Sequence, residues 1–240
     1  MSSISRSSPA PDNQLLRTAR APKLARVSNS SAPGGTLGDR YWVLLIARAV
    51  PAAILTLVIT FSQDHSASLG HIGLGAFAIL TGAILVIGAR MLRGVPRTLF
   101  VVQGTVTAVG GVVALATIGA GLPVLLFLVS ALFAATGVLE LVTGLRSRRS
   151  TPVARDWIVV GGLGMLFAIA VLFIPVDYSQ AITIPDKVVP NLTASTILVG
   201  ALGAYAALVA VYLVIAGLSL KWDKHPAGVG TSIDSNVGTA

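Results

Sequence analysis

Six long apolar runs, separated by short polar segments, dominate the chain: approximately Tyr41–Phe61, Leu69–Ala89, Thr98–Ala120, Gly121–Leu145, Trp157–Val176 and Leu192–Leu220. Each meets the roughly 20 residues that an α-helix needs to cross about 30 Å of hydrocarbon. Inside them only Arg48 and Glu140 carry full charges. A lone strand in lipid leaves backbone groups unpaired, and a membrane barrel needs alternating segments of about ten residues. These runs are continuous, so they predict six transmembrane helices and an all-α integral membrane fold.

Composition agrees with the pattern. Of 240 residues, 54% are hydrophobic and 11% charged, with mean hydropathy +0.85, whereas an ordinary soluble domain has roughly 25% charged residues. A soluble globular protein is excluded. The absence of cysteine removes disulfides, iron–sulfur clusters, zinc-thiolate sites and thiol nucleophiles. No cofactor and no metal centre is expected.

Lys and Arg favour the cytoplasmic side of short loops, and here they fall on alternate connections. The segment before the first helix holds Arg6, Arg17, Arg20, Lys23, Arg26 and Arg40; the second loop holds Arg90, Arg93 and Arg97. The fourth loop adds Arg146, Arg148, Arg149 and Arg155, and the C-terminal tail Lys221 and Lys224. The other side has Lys187 alone, beside Asp64, Asp177 and Asp186. Both termini are therefore expected in the cytoplasm.

Residues 1–39, rich in Ser, Pro, Ala and Gly, and residues 222–240 read as disordered tails around a membrane domain at 40–221. The basic positions 17, 20, 23 and 26 can dock on anionic lipid, although Pro22 interrupts the helix that would align them. The alternative is a solvated tail that sets topology. No nucleic-acid partner is expected. The tail does not read as a signal peptide, because the apolar run that follows is of full spanning length.

The six helices fall into three sequential hairpins, about 40–93, 97–146 and 155–221. The first, third and fifth helices each follow an arginine (Arg40, Arg97, Arg155) and carry Arg48-Ala49, Gln103-Gly104 and Gly161-Gly162 at similar depth. The first two dipeptides are 55 residues apart, and the same 55 separates Thr81-Gly82 from Thr136-Gly137. Hairpins that enter and leave on one side are parallel repeats about an axis along the membrane normal, unlike the inverted repeats of many transporters. Small residues spaced by four allow helices to approach closely. Ala78 with Gly82, Gly104 with Ala108, Ser130 with Ala134, Gly200 with Ala204 and Gly203 with Ala207 offer such faces, for packing in the bundle or for a homo-oligomer.

Over residues 40–221 the chain resembles the HdeD-type acid-resistance membrane proteins, small bacterial proteins of six helices in three hairpins. The resemblance rests on the three dipeptides above, on Thr-Gly-Val-Leu-Glu-Leu-Val-Thr-Gly-Leu-Arg at 136–146, and on Pro175 closing the fifth helix. It implies a non-enzymatic, multi-pass protein of the bacterial cytoplasmic (inner) membrane that contributes to stress or acid tolerance. The chain differs in its long N-terminal tail, in lacking proline after the first and third helices, and in its extended fifth loop at 177–191. Residues 61–67, Phe-Ser-Gln-Asp-His-Ser-Ala, are also similar to a stretch in short actinobacterial membrane proteins, some called acyl-CoA synthetases. Adenylate-forming ligases need a phosphate-binding loop, and no Gly-x-x-x-x-Gly-Lys cradle occurs here.

Arg48, Gln103 and Glu140 are the candidate intramembrane polar cluster. With a rise of 1.5 Å per residue, all three lie about 9–12 Å inside the same boundary. An intramembrane charge is costly unless paired, so an Arg48–Glu140 pair bridged by Gln103 is the economical arrangement. Pro51 should kink the first helix and free the Ala47 carbonyl. Two readings of the cluster are open: an ion or proton site titrating at Glu140, which makes a small channel or carrier the alternative function, or a staple fixing helix neighbours. On the other side Asp64, His65 and His71 form a candidate pH-sensing group, with a wetted outer turn as the alternative. Tyr41, Trp42, Trp157 and Trp222 read as aromatic anchors at the membrane interface.

Overall fold

The computed structural model describes residues 41–151, 153–180, 183–184, 187–188 and 191–222. Its six long helices are α1 (Tyr41–Phe61), α2 (Ala67–Gly88), α3 (Val95–Ala116), α4 (Gly121–Ser147), α5 (Ala154–Val171) and α6 (Ala194–Trp222). All six are long and apolar enough to cross a membrane. The tails read as disordered, before residue 40 and beyond Trp222, lie outside the described residues.

Local chemistry sets the ends. Asp64 accepts hydrogen bonds at 2.9 Å from both the amide and the hydroxyl of Ser66, and Ser66 in turn caps α2 by accepting from the Leu69 amide. α3 stops at Ala116, and a 3₁₀ turn at Ile118–Ala120 leads into Gly121, whose φ of 79° suits a residue without Cβ. α5 ends at Val171 rather than Val176 because the amides of Leu172, Phe173 and Ile174 turn to carbonyls three residues back, just before Pro175. α1 runs unbroken through Pro51.

The connection from α5 to α6 departs from an all-helical chain. It forms two nested antiparallel ladders, β1 (Ser179–Gln180) with β4 (Leu192–Thr193) and β2 (Thr183–Ile184) with β3 (Lys187–Val188). Each strand is two residues long, too short for an alternating pattern to register in the sequence.

Packing places α2 on α3, α4 on α5 and α6 on α1 as the most extensive contacts. These tight pairs join successive hairpins, and the last closes the ring. α2, α4 and α6 also touch one another around the axis, while α1, α3 and α5 sit in the outer grooves between them. Lipid supplies no apolar drive for helix association, so close backbone approach at small residues carries much of it. A Cβ added at Gly82 would lie 2.5 Å from the Gly104 carbonyl oxygen, and one at Gly111 2.7 Å from that of Gly75. Between α4 and α5, a Cβ at Gly161 would lie 2.7 Å from the Leu141 amide. α6 meets α1 less closely, with side chains filling the gap: Ile59 faces Gly203 and Ile46 faces Gly217. Outward faces carry exposed apolar side chains such as Val50, Leu57, Phe127, Leu166 and Leu208, as a lipid-facing surface requires.

Two of the expected interface anchors are core residues instead. Tyr41 and Trp157 are each 1% exposed, and Trp157 Nε1 donates to the Tyr41 hydroxyl at 2.6 Å, with Phe100 edge-on to the indole at 5.3 Å. The first turns of α1 and α5 point these rings inward, so their polar atoms pair with each other rather than with headgroups. Trp222 is exposed, and Trp42 lies under the Lys221 ammonium at 5.0 Å. Tyr41→Phe should therefore cost about 1–3 kcal/mol, because it orphans the buried indole N–H. Unfolding in mixed micelles measures this, and unchanged stability would mean that the bond contributes nothing.

Candidate functional site

Arg48, Gln103 and Glu140 meet inside the bundle. Arg48 Nη1 lies 2.7 Å from Glu140 Oε1, with the two side chains 6% and 5% exposed. Gln103 Nε2 donates to the other carboxylate oxygen, Oε2, at 3.2 Å. The three residues come from α1, α3 and α4. α1 and α4 are not packed as a helix pair, so the long arginine side chain makes the connection across the axis. The Oε1 contact is ionic and lacks a well-aligned donor.

Beside the pair is a cavity of about 50 Å³ to which all six helices contribute. The inner helices line it at a four-residue stride: Phe77, Thr81 and Leu85 on α2; Leu132, Thr136 and Glu140 on α4; Tyr205, Val209 and Leu213 on α6. That stride keeps one face of each helix on the axis. The three sets are in register, 55 residues from α2 to α4 and 73 from α4 to α6. Glu140, Leu85 and Leu213 are each the last lining residue of their inner helix. Thr81 and Thr136 belong to a 55-residue correspondence visible in the sequence, whereas their place on the cavity wall depends on helix rotation.

Arg48 Nε, Gln103 Oε1 and Thr81 Oγ1 have no hydrogen-bond partner among the described residues. A buried water needs about 10–15 Å³ and two or more polar partners, so this cavity has room for about three to five. Away from the chain ends, aromatic rings crowd the axis: Phe133 and Tyr205 are 4.7 Å apart, and Phe167 stacks on Tyr205 at 4.6 Å. The Thr107 and Thr136 hydroxyls donate to carbonyls of their own helices, at 2.7 and 2.8 Å, and make no link between helices.

Asp64, His65 and His71 do not share one environment. Asp64 is exposed in the α1–α2 turn and engaged in capping. It lines an open polar recess of about 380 Å³ with His65, Asn191 and Thr193. His71 lies on α2, fully buried, with Nδ1 2.8 Å from the Ala67 carbonyl. That ring is out of contact with the solvent that a sensor of external acid must sample. These residues form no metal-holding group among the described residues.

A second polar contact between helices had no signal in the apolar pattern. Tyr212 on α6 donates to Asp156 Oδ1 in the first turn of α5 at 2.9 Å. Asp156 stands just before the apolar run, and Tyr212 shares a helix face with Tyr205, so neither position alone marks a site. Comparison with known proteins returns no matching family model, no curated relative and no matching solved structure.

Proposed function

We propose that this is a non-enzymatic, multi-pass protein of a bacterial cytoplasmic membrane, built of three parallel hairpin repeats with both termini in the cytoplasm. Its role is of the stress- or acid-tolerance kind that the resemblance to HdeD-type proteins implies. In this reading Arg48, Gln103 and Glu140 act as a staple across the bundle axis. The observation that carries it is the 2.7 Å ion pair between two side chains that are both almost wholly buried. With Gln103 on its second oxygen, the Glu140 carboxylate is tied to both α1 and α3. The in-register lining of the cavity by α2, α4 and α6 supports the repeat.

The alternative is a small channel or carrier for protons or a small solute. It is favoured by the cavity and its unpartnered polar atoms, and disfavoured by the aromatic crowding at Phe133, Phe167 and Tyr205. Proton influx into liposomes containing the full-length protein separates the two. With external pH stepped from neutral to acid, the staple predicts no influx above protein-free liposomes, for wild type and Glu140→Gln alike. Influx that disappears in Glu140→Gln would make the cluster a conduction site and overturn the staple.

A further inference from the structure

α5 and α6 are consecutive in the chain, yet they pack less extensively than the other two sequential hairpins. They touch through the Phe167–Tyr205 stack and, nearer the chain ends, through the Asp156–Tyr212 hydrogen bond. Around the second contact a cleft of about 490 Å³ opens between the helices, with Arg155, Asp156, Tyr212 and Ser219 on its walls. Its apolar wall includes Val159, 40% exposed, and Ile215, 60% exposed, so the cleft opens on the surface that faces lipid.

Arg155 is exposed and Asp156 half-buried, and the ion pair found among the described residues is Arg48–Glu140, elsewhere in the bundle. Tyr212 occupies Asp156 Oδ1 and leaves Oδ2 free to accept from a second donor. A carboxylate and a guanidinium side by side, above an apolar wall, complement a molecule with the opposite charges on one short head and hydrocarbon below it.

We propose that the α5–α6 cleft binds a phospholipid with a phosphoethanolamine head. The phosphate sits against Arg155, the primary ammonium donates to Asp156 Oδ2, and an acyl chain lies along Val159 and Ile215. Charge-assisted hydrogen bonds are the strong ones, and they discriminate between headgroups. A trimethylammonium head has no N–H to donate, and an anionic glycerol head brings no cation to Asp156.

Native mass spectrometry of the full chain, in micelles doped in turn with phosphatidylethanolamine, phosphatidylcholine or phosphatidylglycerol, tests this. Phosphatidylethanolamine should be retained roughly tenfold better than either competitor, the factor expected of one charge-assisted hydrogen bond. Asp156→Asn preserves an oxygen for Tyr212 and should reduce that retention to the phosphatidylcholine level, while Arg155→Gln should weaken all three lipids. Equal retention of the ethanolamine and choline lipids would mean annular lipid only and would overturn the proposal. Preferred retention of phosphatidylglycerol would do the same, in favour of a site read by arginine alone. A preference that survives Asp156→Asn would also overturn it. Should that variant unfold by circular dichroism, the comparison of the three lipids on the wild-type protein decides the matter.

Discussion

Arg48→Leu is expected to destabilise the bundle by about 3–5 kcal/mol, because it leaves a carboxylate buried without its counter-charge. Glu140 is 4% exposed, and its remaining partner, the Gln103 amide at 3.2 Å, is neutral. Removing both charges is a different matter. In Arg48→Leu/Glu140→Leu no ion remains to be held in the membrane interior, and much of the loss should be recovered. Unfolding free energies of wild type, both single variants and the double variant close a thermodynamic cycle. A double variant as unstable as the sum of the singles would show that the residues act independently, and the staple would fall with that result.

The second large effect should come from glycine. Gly82→Leu drives a side chain into the α2–α3 contact, where the space for even a Cβ is bounded by the Gly104 carbonyl oxygen at 2.5 Å and the Ala108 amide at 2.7 Å. Backbone atoms cannot rotate away, so the helices must separate. Overpacking of a tight core costs about 1–3 kcal/mol where side chains can adjust, and a rigid backbone wall puts this case at or above that range. Gly162→Ala is the control, since a Cβ there meets nothing within 4 Å. It should be neutral or stabilising by up to about 1 kcal/mol through helix propensity. Thermal unfolding of the two variants measures the contrast, and a Gly82→Leu protein as stable as Gly162→Ala would remove close α2–α3 approach as a source of stability.

Arg48, Gln103 and Glu140 could be placed at one depth from the sequence, because distance along a helix is a local quantity of 1.5 Å per residue. Thr81 and Tyr205 could not be placed on the same cavity, because that depends on how α2 and α6 are rotated. The aromatic residues show the same division. The position of Tyr41 and Trp157 near the starts of α1 and α5 was legible, whereas their burial against each other depended on which helix ends meet. Likewise, the ordinary solution titration range of histidine suggested a sensor at His71, and the inward face of α2 places that ring out of water.

What the sequence by itself determined is the number of long apolar helices, their approximate bounds and the position of each charge along its helix, all of which follow from short-range hydropathy and helical rise. The tertiary structure alone decided that α6 closes on α1 and that Asp156 meets Tyr212 beside an open cleft. The reason is the solvent. In a bilayer the side of a helix that faces lipid is as apolar as the side that faces its neighbours, so hydrophobicity marks the crossing and leaves the partner to shape and to a few polar atoms.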